Sequence, residues 1–288
     1  MTIQTMTIDK GATHSGRGKA GRAGLEPRPE DLGAVKLIGL GGTGGIVARY
    51  LVTYLASLDV PLRLVLIDGD DFEPRNAERM LFSRDGNKAA VVQEELAGTL
   101  GETQLTLTAV EHFVTPENVG QLLHDGDVVL LAVDNHATRK LVAEFCARNL
   151  DDVCLISGGN DGVGRDSLGR VVGGTYGNVQ VHLRREGRDR TPSLLAYHPE
   201  IASPADTLPS EASCSEAIVS VPQILFANLA SASAMLNAFY LHVCRALDYA
   251  EVCFDIRDGL MRPIELPVPQ PGSGDARREA AAKGPSSP

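Results

Sequence analysis

The stretch that decides the fold is residues 35–71, VKLIGLGGTGGIVARYLVTYLASLDVPLRLVLIDGDD. A short apolar run enters a cluster of glycines, an apolar-periodic segment follows, and a second apolar run from Leu62 to Ile67 ends at Asp68. This order predicts a strand, a glycine-rich turn, a helix and a second strand. Glycines let the backbone approach a polyphosphate closely, and the N-terminus of the following helix favours negative charge. The stretch therefore predicts a nucleotide-binding unit.

Asp68 strengthens this interpretation because it follows the second strand, where a carboxylate can accept hydrogen bonds from ribose hydroxyls. The glycines that we expect beneath the nucleotide are Gly39, Gly41, Gly42 and Gly44. Glycine-rich turns also occur for structural reasons alone, so the prediction depends on the strand, helix and acid that surround them. The motif alone leaves open whether the nucleotide is a redox dinucleotide or ATP.

A second acid is predicted at the same edge of the sheet. Residues 127–133, DVVLLAV, form a nearly continuous apolar run that ends at Asp134. Such runs are typical of parallel strands that are buried on both faces, and ligands bind at the carboxyl ends of these strands. We interpret Asp134 as a ligand-binding or metal-binding residue. The alternative is that it caps the next helix, predicted at His136–Asn149.

Other elements follow from periodicity and turn signals. A helix is predicted after the turn at residues 85–86, with Lys88 at its beginning. A lysine there is disfavoured by the positive end of the helix dipole, which indicates that its side chain binds an anion. Leu105–Val110 is predicted as a strand and Pro116–Leu123 as a short helix.

Alternating apolar residues in the second half of the chain predict antiparallel strands. A strand begins at Val153–Ile156, alternating residues in 171–183 indicate further strands, and Val252–Ile256 and Arg262–Val268 are the last candidates. The predicted fold class is therefore α/β: a Rossmann-like mixed sheet, with a parallel N-terminal part extended by antiparallel strands and helices on both faces.

The predicted domain organisation is simple. We expect a flexible N-terminal arm over residues 1–30, one domain over 31–266 and a disordered tail over 267–288. Within the domain, residues 35–150 form the nucleotide-binding half and residues 151–266 the partner-binding half.

Composition excludes several function classes. A net charge of −10 argues against nucleic-acid binding, which needs a basic face. Ala217–Cys244 is uncharged but rich in Ser, Asn and other polar residues, which favours a buried core or subunit-interface helix over a membrane span.

The five cysteines include no CxxC pair, so no structural zinc is predicted. Their odd, sparse count is typical of a reducing cytosol, and we expect a cytoplasmic protein.

Several short motifs together resemble one family, the ThiF/MoeB/HesA adenylyltransferases, which are relatives of the ubiquitin-activating enzymes. The motifs are GLGGTG at Gly39–Gly44, LIDGD at Leu66–Asp70, RNAERM with Asn76 and Arg79, GNKA with Lys88, VDNHATR with Asp134 and Arg139, and ASCSEAIVSVPQ at Ala212–Gln223. The resemblance extends from Val35 to Leu247. The loop PSEASCSEA and the helix after it also resemble the ThiF-like proteins of the plasmid-borne PRTRC gene cluster.

The resemblance implies an activity and its partners. The C-terminal carboxylate of a small ubiquitin-like protein or peptide, on a flexible tail, would attack the α-phosphorus of Mg-ATP. The products would be an acyl-adenylate and pyrophosphate, with transfer to a thiol as a further step. The implied cofactors are ATP and Mg²⁺, and we expect a homodimer.

The resemblance also implies roles for individual residues. Arg79 and Lys88 would neutralise the phosphates, and Asp134 would bind Mg²⁺ through its carboxylate. Cys214 would receive the acyl group; the alternative is an inert, buried cysteine. The nucleotide would be bound by Gly39, Gly41, Gly42, Gly44, Asp68, Asp70, Asn76, Arg79 and Lys88.

Two other functions fit part of the pattern. The glycines and Asp68 also satisfy the dinucleotide fingerprint, so an NAD-dependent oxidoreductase stays open. A non-catalytic scaffold subunit of an activating complex would share the fold. Such subunits typically lose the phosphate-neutralising residues, and here Arg79 and Lys88 are present.

Overall fold

The computed structural model describes residues 24–72, 82–211 and 223–268. The helices are α1 (Gly42–Ala56), α2 (Lys88–Ala97), α3 (Val119–Leu122), α4 (His136–Asn149), α5 (Pro199–Ala202) and α6 (Leu225–Val243). The strands are β1 (Val35–Ile38), β2 (Leu62–Ile67), β3 (Asp71–Phe72), β4 (Gly86–Asn87), β5 (Leu105–Val110), β6 (Val128–Leu131), β7 (Val153–Asn160), β8 (Val163–Arg165), β9 (Val171–Gly173), β10 (Tyr176–Arg185), β11 (Arg188–Asp189), β12 (Glu251–Asp255) and β13 (Leu260–Ile264).

Within those ranges, nine strands form one mixed sheet in the order β5-β2-β1-β6-β7-β10-β12-β13, with β11 paired to β10. Strands β5, β2, β1, β6 and β7 are parallel, and Leu37 of β1 lies opposite Leu66 and Leu130. Strands β7, β10, β12 and β13 pair antiparallel. The predicted mixed sheet, parallel first and antiparallel after, is confirmed.

Both faces of the sheet are covered. One face packs against α1, α2 and α6, and the other against α3, α4 and α5. The central strands β1 and β6 are buried along their whole length, as expected for parallel strands with helices on both sides. Residues 225–243 of the uncharged segment that we expected to be buried form α6, with its small residues against the sheet. Among the described helices, none has the length and apolar character needed to cross a bilayer.

Helices α1 and α6 run side by side in the same direction. Near their beginnings, the Thr43 hydroxyl donates to Asn228 Oδ1 at 3.4 Å, and near their ends the rings of Tyr54 and Phe239 meet edge to face. Because α1 begins where β1 ends, α6 begins at the carboxyl edge of the parallel strands as well.

The largest differences from the predicted bounds concern three elements. Helix α3 begins at Val119 rather than at residue 116, because the Asn118 side chain bonds the backbone of residues 113 and 115 in a turn. Strand β7 continues to Asn160, where it pairs with Gly177 of β10. The last strand covers residues 260–264 instead of 262–268, since a turn with Gly259 at a φ of 63° brings it back against β12.

Candidate nucleotide site

The candidate site lies at the carboxyl edge of β1, β2 and β6. The chain leaves β1 through α1 to β2 on one side and returns to β6 on the other, so the strand order reverses at β1. Open α/β sheets bind ligands at such a switch point. Asp68 follows β2 and Asp134 follows β6, two strand spacings or about 10 Å apart at the level of the sheet. The glycine loop lies between them.

Two of the predicted glycines are required by the chain's own packing. Gly39 has a φ of 87°, and a Cβ on it would lie 2.9 Å from the Val133 side chain. A Cβ on Gly44 would lie 1.8 Å from the Gly39 carbonyl oxygen. Gly41 is the N-cap of α1 and has no side chain to cap it, and Gly42 is the first helical residue. The N–H groups of this first turn are therefore donors for an anion or for water.

Asp68 is buried, with 8% of its surface exposed. Its Oδ2 accepts a hydrogen bond from Leu40 N at 2.6 Å, and its Oδ1 accepts one from Asp70 N at 2.9 Å. Burial raises the pKa of Asp68, although Lys88 and the two backbone donors oppose the shift. A carboxylate has about four acceptor positions, so both oxygens can still accept from a ligand. The loop thus holds an oriented acceptor toward the glycine turn.

Lys88 is the first residue of α2, as predicted, and its side chain is only 9% exposed. Its Nζ donates to Asp70 Oδ2 at 3.0 Å, while its backbone N donates to Asp70 O at 2.9 Å. Asn87 caps α2 and also donates to the carbonyls of Asp68 and Asp70. Asp70 therefore ties the start of α2 to the end of β2, and the ammonium of Lys88 lies beside the carboxylates of this edge.

Asp134 is exposed and lies between the end of β6 and the start of α4. The N-cap of α4 is Asn135, whose Oδ1 accepts from Thr138 N at 2.7 Å. The capping role that sequence left open for Asp134 therefore belongs to its neighbour. This assignment leaves Asp134 as a candidate for metal binding.

Arg139 is buried beneath this connection. Its Nη1 donates to the Ser157 hydroxyl at 2.7 Å, and its Nη2 donates to Val133 O at 2.6 Å and to Gly158 O at 2.7 Å. Burial lowers the pKa of Arg139 to about 10, with Asp134, Asp206 and Glu200 opposing the shift. The guanidinium links the end of β6 to β7 and supplies positive charge beneath a cluster of carboxylates.

Helix α4 is additionally bonded at its start by a distant segment. Asp206 accepts from the backbone N–H groups of His136 and Ala137, and Asn135 donates to Thr207 O. Four described helices, α1, α2, α4 and α6, begin at this edge, so several positive dipole ends surround the glycine loop.

The structure brings together Gly39, Gly41, Gly42, Gly44, Asp68, Asp70, Lys88 and Asp134 at one edge. Asn76, Arg79 and Cys214 lie outside the described residues, so their predicted roles stay predictions. In the described part of the chain, no group of three or more His, Cys, Asp or Glu is arranged to hold a metal. Mg²⁺ usually takes only one or two carboxylates besides phosphate oxygens, so one carboxylate ligand, Asp134, is compatible with that ion.

Sequence reasoning missed Asn87 and Asp206. An asparagine directly before a predicted helix is an N-cap signal, so Asn87 could have been found. Asp206 lies some seventy residues from its partners, and nothing local marks it.

Comparison with known proteins agrees with this geometry. Residues 31–238 match the ThiF family. The chain is 32% identical over 127 residues to tRNA threonylcarbamoyladenosine dehydratase of Haemophilus influenzae, covering 42% of this chain and 46% of that protein. It is 37% identical over 116 residues to the sulfur carrier protein ThiS adenylyltransferase of Escherichia coli, covering 39% and 43%. The matched region thus spans less than half of each of these relatives.

Solved structures of E. coli MccB share the fold. The structure with AMPCPP and MccA superposes with a TM-score of 0.59 at 13% identity, covering 82% of this chain and 64% of that chain. The structure with ATP gives a TM-score of 0.58 at 13% identity, covering 82% and 65%. At such identity the likeness concerns the fold. The family match, which includes the glycine loop, Asp68, Lys88 and Asp134, shows that the chain belongs to the ThiF family.

Proposed function

We propose that the protein is an ATP-dependent adenylyltransferase that activates the C-terminal carboxylate of a small ubiquitin-like protein or peptide. The observation that carries the proposal is the placement of Asp68, Lys88 and Asp134 around one glycine loop at the switch point of the sheet. An acid for ribose, a buried cation and an acid for a metal are the parts that Mg-ATP needs.

In the proposed reaction, a carboxylate oxygen of the partner attacks the α-phosphorus of ATP. The new oxygen–phosphorus bond forms as the bond to the bridging oxygen breaks, and pyrophosphate leaves with that electron pair. No proton has to move, because the attacking carboxylate is already ionised at neutral pH. The protein therefore needs positioning and charge stabilisation more than a general base.

Each residue of the site would have a separate role in binding the nucleotide or neutralising its charge. Asp68 would accept hydrogen bonds from the ribose hydroxyls, and the uncapped N–H groups at the start of α1 would face the phosphates. Lys88 would neutralise phosphate charge, exchanging its contact with Asp70 for one with the nucleotide. Asp134 would hold Mg²⁺, the hard cation that neutralises the polyphosphate. The family resemblance implies that Arg79 would join Lys88 in neutralising the phosphates, with Asn76 orienting them.

The relatives support the substrate class. One is named as an adenylyltransferase of the carrier protein ThiS, and MccB has been solved with MccA and with ATP. ThiF membership also favours ATP over the NAD alternative, because the dinucleotide pattern accounts only for the glycines and Asp68. Transfer of the acyl group to Cys214, and a homodimer, remain predictions.

The test is ATP–pyrophosphate exchange in the presence of Mg²⁺, with ThiS and MccA as carboxylate probes. We expect Asp134→Ala to lower the exchange rate by about 100-fold, as removal of a metal ligand should. Glu102→Ala, which removes an exposed acid from a loop away from this edge, should exchange at the wild-type rate. Full exchange by Asp134→Ala would refute the metal assignment.

A thermal-shift comparison separates ATP from NAD. We expect Mg-ATP to raise the melting temperature of the wild-type protein and NAD to leave it unchanged, since a ligand stabilises only the state that binds it. Stabilisation by NAD alone would replace the proposed function with the oxidoreductase alternative.

A further inference from the structure

Asp206 lies in the strap, which we define as residues 192–211. The strap follows β11 in the chain and contacts the first turn of α4. The Oδ2 of Asp206 accepts a hydrogen bond from His136 N, and its Oδ1 accepts one from Ala137 N, both at 2.8 Å. His136 and Ala137 are the first two residues of α4, whose N–H groups have no partner inside the helix. A carboxylate at this position is stabilised by both donors and by the helix dipole.

A second contact joins the strap to the same turn. The side chain of Asn135 donates to Thr207 O at 2.7 Å and accepts from Thr138 N at 2.7 Å. The N–H groups of residues 136, 137 and 138 thus all have partners, and the strap supplies two of them. Asp206 of the strap and the N-cap Asn135 thus together supply acceptors for the first three N–H groups of α4.

These contacts fix the backbone on both sides of Asp134. On one side, Val133 O accepts from Nη2 of the buried Arg139 at 2.6 Å. On the other side, Asn135 is bonded to the strap and His136 to Asp206. Mg²⁺ demands near-ideal octahedral geometry, so the position of its carboxylate ligand must be held closely.

We propose that Asp206 is a positioning residue for Asp134: by bonding the start of α4, it holds the metal-binding carboxylate at the distance that the Mg-nucleotide complex requires. The inference rests on the proposed function. It also divides the helix N-termini by role, because Asp206 occupies the donors of α4 while those of α1 remain for phosphate. Helix α4 then delivers the metal ligand and does not bind the polyphosphate itself.

The test measures the affinity for AMPCPP by calorimetry, first with EDTA and then across a Mg²⁺ titration. Mg²⁺ should tighten the binding of AMPCPP. We expect Asp206→Ala to raise, by about fivefold, the Mg²⁺ concentration at which half of this gain in affinity is reached, which is the usual scale of a lost N-cap; the affinity in EDTA should be unchanged. Asp206→Asn keeps an acceptor oxygen and should raise that Mg²⁺ concentration less. Glu211→Gln removes an exposed charge from the same strap and should match the wild type.

Hydrogen exchange provides a readout that does not depend on nucleotide. In the free protein, the amides of residues 136–139 should exchange about fivefold faster in Asp206→Ala than in the wild type or Glu211→Gln. Unchanged exchange there, or an unchanged Mg²⁺ dependence, would overturn the inference.

Two further outcomes have defined meanings. Equal shifts in Asp206→Ala and Asp206→Asn would assign the effect to charge alone and overturn the positioning role. Failure of the wild-type protein to bind AMPCPP at any Mg²⁺ concentration would instead overturn the proposed function and, with it, the role of Asp206 in metal binding. The exchange data would then report only whether Asp206 stabilises α4.

Discussion

The two halves of the sheet differ in where the candidate functional side chains and a buried polar network lie. In the parallel half, β1 and β6 are buried throughout and the functional side chains lie beyond the strand ends. In the antiparallel half, polar side chains lie within the strands, on the face beneath the strap. They are Asn178, Gln180 and His182 of β10 and Glu251 of β12. A strand end is marked in the local sequence, whereas a polar face depends on register and on what covers it.

The buried polar face is a connected network. Glu251 accepts from Asn178 at 2.7 Å and lies 3.3 Å from His198 of the strap, which in turn lies 3.0 Å from Glu200. A cavity of about 10 Å³ lined by Gln180, His198 and Glu251 adjoins it, which is room for about one water. Within the described residues, Gln180 Oε1 has no hydrogen-bond partner, and a water there would supply one.

The largest expected effect concerns the packed loop of the parallel half. Gly44→Ala places a methyl group 1.8 Å from the Gly39 carbonyl oxygen, and because that contact is with backbone, the loop must move. We expect a loss of about 4 kcal/mol in the free energy of unfolding, measured by urea denaturation. Gly101→Ala meets nothing within 4 Å and should change it by about 0.5 kcal/mol or less. Equal stability of the two variants would contradict the packed-loop interpretation.

The second-largest expected effect concerns the boundary between the parallel and antiparallel halves of the sheet. Arg139→Met removes the donors of the half-buried Val133 O and of the buried Gly158 O. We expect a loss of about 3 kcal/mol in the free energy of unfolding by the same measurement. Arg148→Met makes the same change on an exposed part of α4, where the lost ion pair with Glu144 is worth about 0.5 kcal/mol. A small effect of Arg139→Met would show that the halves do not depend on this guanidinium.

The smallest effect concerns the antiparallel half and is seen as a pH dependence. Burial alone would lower the pKa of His198, but the carboxylates of Glu251 and Glu200 outweigh burial and raise the pKa above its usual value. The protonated imidazole therefore stabilises the folded state fully below about pH 6.5 and loses this contribution as pH rises through the raised pKa. We expect the wild type to lose about 1 kcal/mol of unfolding free energy between about pH 6.5 and 8.5.

Two other histidines, His182 and His242, do not interfere in that range. Burial lowers the pKa of His182, and it lowers that of His242 to about 4, so their cost to stability arises only below about pH 6.5. In a series of melting curves, His198→Gln should remove the loss above pH 6.5, and His112→Gln, at an exposed position, should retain it. An identical pH profile for His198→Gln and the wild type would show that the network does not hold a charged imidazole.

Local signals were enough to predict much of the parallel half. The bounds of β2, β5 and α4 match the prediction, because uniform apolar runs and turn residues define them within the sequence itself. Asp68 and Asp134 were placed at one edge because parallel strands must present their carboxyl ends together.

Elements that depend on distant partners were not predicted as well. Strand β7 extends through Gly158 and Gly159. Both positions are glycine because a Cβ would collide with Met235 on one face and with Arg139 on the other. Glycine in a sequence does not show which side chain needs that space. The contacts of Asp206 with α4 and of His198 with Glu251 depend in the same way on the path of the strap, which no short pattern encodes.

The hydrogen bond between Thr43 and Asn228 has a consequence for the order of folding. It joins the first turn of α1 to a helix 185 positions later in the chain. Closing so long a loop is entropically costly, and contacts of high sequence separation form slowly. The N-terminal βαβ unit can assemble as soon as it emerges from the ribosome, but its glycine turn gains its last neighbour only after α6 has been synthesised and has docked. We therefore expect nucleotide binding to appear late in the maturation of the chain.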